Sequence, residues 1–74
     1  MADINLDLKG LKCPLPAIKT EKTLASLEPG DRLTVECTDP MAAIDIPHLL
    51  QKTGDRLVMS ERNDSRLVFR IEKI

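Results

Sequence analysis

The sequence predicts a two-layer α/β domain of order βαβαββ, a sandwich of a mixed four-stranded sheet and two helices on one face. Three observations carry that reading. Short segments with strict apolar–polar alternation recur along the chain, and alternation marks strands with one buried face. Two stretches of helical spacing separate the first three alternating segments, each bounded by proline or glycine. The outward positions of the strands are charged, so cover is needed on one side only.

The first strand rests on Ile4, Leu6 and Leu8 alternating with Asn5 and Asp7, and Gly10 closes it. Residues 13–28 then read as a helix with Cys13 at its N-cap, Pro14 at its first position and Pro29-Gly30 as its stop. Ala17, Thr20, Leu24 and Leu27 define its buried stripe, which sets Leu15, Lys19 and Lys22 on the solvent side with Ile18 at the margin. Leu33, Val35 and Cys37 alternate with Thr34 and Glu36 to give the second strand. Asp39-Pro40 reads as an N-cap and first-turn proline. Pro47 inside a helix costs about 3 kcal/mol. The spacing therefore predicts a first turn over 40–44 and a restart capped by Asp45, with Ile46, Leu49, Leu50 and Thr53 inward and Gly54 as the stop. Leu57 and Met59, then Leu67, Phe69 and Ile71, form the inward face of a hairpin turning at residues 62–65. The βα crossover makes the first two strands parallel.

Seventy-four residues suffice for a single domain, 1–74, with a thin core. Eleven basic against twelve acidic residues, with a formal net charge of −1, give no general attraction to phosphate or anionic lipid. Phe69 is the lone aromatic, which argues against base-stacking RNA platforms and makes direct nucleic-acid binding a weak expectation. Neither a signal peptide nor a membrane span is expected, which points to the cytoplasm. Two cysteines in a cytoplasmic chain are expected as thiols. Cys13, Cys37 and His48 are too scattered to suggest a metal site, so no cofactor is expected.

The informative segment is Gly10-Leu11-Lys12-Cys13-Pro14-Leu15-Pro16. A cysteine at a helix N-cap meets backbone N–H groups and the positive end of the helix dipole, so Cys13 is expected to titrate below an ordinary thiol. Lys9, Lys12, Lys19 and Lys22 add positive charge nearby. Pro14 and Pro16 shape the site by limiting its donors and fixing its backbone. What is missing narrows the chemistry. A dithiol oxidoreductase needs a resolving cysteine where Pro16 stands. A cysteine hydrolase needs a histidine at the sulfur, and His48 reads as a surface residue of the second helix. A lone activated thiolate that transfers sulfur through a persulfide, or senses oxidants, remains. Cys37 continues an inward alternation and reads as a structural core residue.

The segment Leu6-Asp7-Leu8-Lys9-Gly10-Leu11-Lys12-Cys13-Pro14-Leu15-Pro16 resembles the hallmark of the TusA/SirA-like sulfur-carrier family. Asp39-Pro40, Asp45-Ile46-Pro47 and Gly54 resemble its second signature, and the similarity spans essentially the whole chain. The resemblance implies a two-layer βαβαββ fold. It further implies a sulfurtransferase that carries sulfane sulfur as a persulfide on Cys13 between a donor protein, a cysteine desulfurase or a rhodanese, and an acceptor protein. tRNA thiolation, cofactor synthesis and sulfur oxidation are the sinks such relays feed. On that reading Leu11, Lys12, Leu15, Ile18, Lys19 and Lys22 form the partner-contact surface, and the small apolar patch favours a monomer. The rival is a non-catalytic regulatory or RNA-binding module using Arg62, Arg66 and Arg70. Asp7, Glu36 and Glu72 on the same outer sheet face argue for a solvated mixed surface instead. A redox sensor at Cys13 ranks third.

Overall fold

The computed structural model describes residues 2–74; Met1 lies outside the described residues. The six elements, in chain order, are β1 (Asp3–Leu8), α1 (Leu15–Ala25), β2 (Arg32–Cys37), α2 (Ala42–Thr53), β3 (Arg56–Asn63) and β4 (Arg66–Glu72). The sheet order is β1-β2-β4-β3, with β1 and β2 parallel and β4 antiparallel to both of its neighbours. α2 therefore carries the chain past the position that β4 fills last. Leu8, Leu33, Val35, Cys37, Leu67, Phe69 and Ile71 form the buried sheet face, and Leu24 of α1 with Ala42, Ile46 and Leu50 of α2 close over it. The mixed sheet and one-sided helical layer are those the alternation predicts.

Five local readings are corrected. α1 begins at Leu15, with Pro14 rather than Cys13 at its N-cap. It ends at Ala25, where the Ser26 backbone N–H and hydroxyl both donate to the Thr23 carbonyl. Its buried stripe is Pro16, Thr20 and Leu24, so Pro16 fills core space under the first turn while Ala17 and Leu27 are half-buried. α2 is continuous through Pro47. Burial of Ala42 and Ile46 before the proline and of Leu49 and Leu50 after it holds both halves against the same core, and this packing outweighs the missing hydrogen bond. Thr53 is exposed.

The hairpin differs most. Leu57 pairs with Ile71, but Met59 pairs with Arg70, so a bulge at Val58 inserts one residue. A one-residue insertion moves the rest of the strand to the opposite face, which turns Met59 outward instead of inward. The turn is tighter than residues 62–65, because the strands pair out to Asn63 and Arg66. Asp64 takes a left-handed conformation (φ 56°), which aspartate tolerates. The buried Asp55 carboxylate, to which the sequence assigned no role, ties down the chain end by accepting the Ile74 N–H at 3.2 Å beside Lys73 Nζ at 3.7 Å.

Candidate functional site

Parallel pairing of β1 with β2 places the residues after Leu8 beside those after Cys37, since Leu8 and Cys37 are register partners. Gly10 (φ 86°) turns the chain back there, and its N–H donates to the Thr38 hydroxyl at 2.9 Å. The Cys13 N–H donates to Asp39 Oδ2, while Asp39 Oδ1 accepts the Met41 N–H at 3.1 Å. Asp39 thus links the Cys13 loop to the start of α2. The Cys13–Pro14 peptide is cis.

Cys13 is exposed and Cys37 fully buried, and both are free thiols. The Cys13 sulfur donates to Asp45 Oδ2 at 2.8 Å. It sits in an open groove between the two helices, where Pro14 and Ile18 of the α1 side face Asp45, His48 and Leu49 of α2. A second hollow on its other side runs past Leu11 and Lys12 to Asp39 and Pro40. Glu21 and Lys52 stand further along the main groove.

This arrangement overturns the expected low pKa of Cys13. The Asp45 hydrogen bond favours the neutral thiol, and partial desolvation and the Asp45 and Asp39 charges push the same way, so the thiol titrates above its ordinary value. The helix start offers little in return. Pro14 and Pro16 have no N–H, and the Leu15 N–H donates to the Lys12 carbonyl at 2.9 Å. Burial and Asp39 push the Cys37 thiol up to about 11, in keeping with an inert core residue.

The sequence profile of the family described as Sulfurtransferase TusA matches residues 4–73. The chain belongs to the TusA family. Among relatives, it is 37% identical over 75 residues to the "Sulfur carrier protein TusA" of Allochromatium vinosum, covering 99% of each chain. It is 38% identical over 71 residues to a "Putative sulfur carrier protein" of Aquifex aeolicus, covering 96% of this chain but 36% of that longer one. Its fold matches the crystal structure of a SirA-like protein from Desulfitobacterium hafniense with a TM-score of 0.81 at 26% identity, over 93% of this chain and 95% of that one.

Within this TusA-family fold the expected contact residues divide. Leu11, Lys12, Pro14 and Ile18 lie beside Cys13, with Ile18 53% exposed, and Leu15 is exposed at the start of α1. Lys19 and Lys22 instead line a separate hollow with Leu6, Thr23 and Ser26. Lys9 turns to the outer sheet face, 3.6 Å from Glu36. The rim of the sulfur is therefore richer in carboxylate than the basic flank of the sequence suggests. On the outer face Arg66 reaches Glu36 at 3.9 Å and Arg32 reaches Glu72 at 3.9 Å, as a mixed charged surface should. Asp39, Asp45 and His48 are the site residues that sequence reasoning missed. The two aspartates stand in plain view in the second family signature, but by spacing alone each reads as a helix cap.

Proposed function

We propose that the chain is a sulfur carrier and sulfurtransferase that holds sulfane sulfur as a persulfide on Cys13 and relays it between proteins. The observation that carries this reading is an exposed thiol at the mouth of an open groove, with the second thiol of the chain buried away from solvent. The names of its TusA relatives support the carrier role. In loading, the Cys13 thiolate attacks the outer sulfur of a donor persulfide. A sulfur–sulfur bond forms to Cys13, the donor's sulfur–sulfur bond breaks, and the donor cysteine leaves as a thiolate. In unloading, an acceptor thiolate attacks the outer sulfur and Cys13 is the leaving group. Each step exchanges one sulfur–sulfur bond for another, so there is no net oxidation and no cofactor is called for.

Leu11, Leu15 and Ile18 supply an apolar contact area around the sulfur, Lys12 a charge beside it, and Pro14 and Pro16 the fixed backbone beneath. Lys19 and Lys22 lie one hollow away and would act on encounter rather than on the transferred atom. We take the chain as one domain over 1–74, working as a monomer in the cytoplasm. No helix among the described residues is long and apolar enough to cross a membrane. The donor is a cysteine desulfurase or a rhodanese, and tRNA thiolation, cofactor synthesis or sulfur oxidation consumes the sulfur. Incubating the protein with a desulfurase plus cysteine, or a rhodanese plus thiosulfate, tests the reading by intact mass. A gain of one sulfur atom that a thiol acceptor then removes is expected. No gain with either donor would overturn it.

A further inference from the structure

We infer that Asp45 is a positioning residue that holds the unloaded Cys13 as a hydrogen-bonded thiol, so that sulfur uptake requires its charge to be displaced or neutralised. The inference rests on the carrier reading above and adds a restraint to it. The Cys13 sulfur lies 2.8 Å from Asp45 Oδ2, and an ionised carboxylate can only accept, so the shared proton belongs to the sulfur. The Cys13 backbone N–H is turned to Asp39 Oδ2. Pro14 at the N-cap and Pro16 in the first turn of α1 have no N–H. The Leu15 N–H is bound to the Lys12 carbonyl and the Ile18 N–H to the Pro14 carbonyl, which leaves the Ala17 N–H. Most of the groups that normally stabilise a thiolate at a helix start are thus absent or directed elsewhere, and a carboxylate bonds the sulfur instead.

The charged and titratable groups around the sulfur come from four places. Asp45, His48 and Lys52 belong to α2, Glu21 to α1, Asp39 to the loop before α2, and Lys12 to the loop of Cys13 itself. Of these, Asp45 alone hydrogen-bonds the sulfur among the described residues. It is half-buried beside the groove, where a docking protein that covers Cys13 also covers Asp45. A restraint there keeps a free, unloaded carrier from taking sulfur from every passing persulfide. It is lifted only where the groove is occupied.

Asp45→Asn removes the charge at constant shape, and Asp45→Ser is the second variant should the amide disturb the fold. The rate of Cys13 alkylation by iodoacetamide is followed against pH, with the modified cysteine identified by peptide mass. Loading from glutathione persulfide at pH 7 is followed by intact mass. Cys13–S⁻ takes the outer sulfur and glutathione leaves as its thiolate. The variants are expected to show an alkylation midpoint at lower pH, and several-fold faster alkylation and loading at pH 7, because each unit of pKa changes the thiolate fraction tenfold. A midpoint that stays or rises in folded variants, or slower loading, would overturn the restraint. If the midpoints separate but neither native nor variant protein gains sulfur, the restraint stands and the carrier reading fails. If both load with identical midpoints, the carrier reading stands and the restraint fails.

Discussion

Replacing Cys37 with alanine separates the structural from the chemical thiol. Cys37 has no exposed surface, lies between the register partners Leu8 and Leu67, and continues the inward row of Leu33 and Val35. Removing its sulfur deletes about one methylene's worth of buried apolar volume, worth about 0.8 kcal/mol of transfer free energy plus a small cavity term, so about 1 kcal/mol in all. In a domain of this size that corresponds to a fall of about 4–8 °C in melting temperature. Cys37→Ser is worse despite its similar shape, because a hydroxyl enters an apolar layer at a cost of about 1–3 kcal/mol when it finds no partner. Calorimetry and urea titration of the three proteins should rank them native, alanine, serine, with persulfide loading retained in the alanine protein. A pH signature accompanies this. The raised Cys37 pKa means that its contribution is complete below the ordinary thiol value and is lost as pH rises towards about 11, and the alanine protein lacks that alkaline loss. A folded Cys37→Ala protein that cannot be loaded or unloaded would refute the single-thiol mechanism. A serine protein as stable as the native one would refute the dry, apolar setting.

Asp31 accepts the Ala2 N–H at 2.8 Å and the Glu28 N–H at 2.9 Å, and these bonds hold its carboxyl below the usual range. Its stabilisation is therefore present above the ordinary carboxyl pKa and lost as pH falls through the folded value, so Asp31→Asn should weaken the acid dependence of the urea midpoint; an unchanged dependence would contradict the assignment. Reversing Lys19 and Lys22, both exposed on α1, should leave the melting temperature nearly unchanged and slow loading by a protein donor in a salt-sensitive way. A large stability loss with unaltered transfer would contradict this. Phe69→Ala, at 1% exposure in the centre of the core, should cost about 3–5 kcal/mol and leave far-UV circular dichroism largely unfolded at 37 °C. A cooperative melt close to the native one would show that the core is centred elsewhere.

The sheet was legible because its inward rows, Leu33-Val35-Cys37 and Leu67-Phe69-Ile71, are complete and their outward neighbours, Val68 apart, are polar. Met59 misled because the same alternation continues across Val58, and a bulge leaves no mark in apolar spacing. Pro47 misled in the opposite direction. Its local cost was visible, whereas the burial of Ala42 and Ile46 that overrides it is a tertiary fact. At the site, Cys13 stood out from its Pro-x-Pro context alone. Its environment did not, since the charges that set it come from Asp39 and Asp45, 26 and 32 residues further on. Counting lysines near Cys13 along the chain gave the wrong polarity because strand and helix geometry turn Lys9 and Lys19 elsewhere.

The central claim is that sulfur travels on Cys13, and peptide mapping of the loaded protein tests it most directly. After incubation with a sulfane-sulfur donor and trapping with iodoacetamide, the extra sulfur should lie wholly on the peptide containing Cys13. It should be absent from Cys13→Ser and undiminished in Cys37→Ala. Extra sulfur on the Cys37 peptide, or loading that survives Cys13→Ser, would contradict the account.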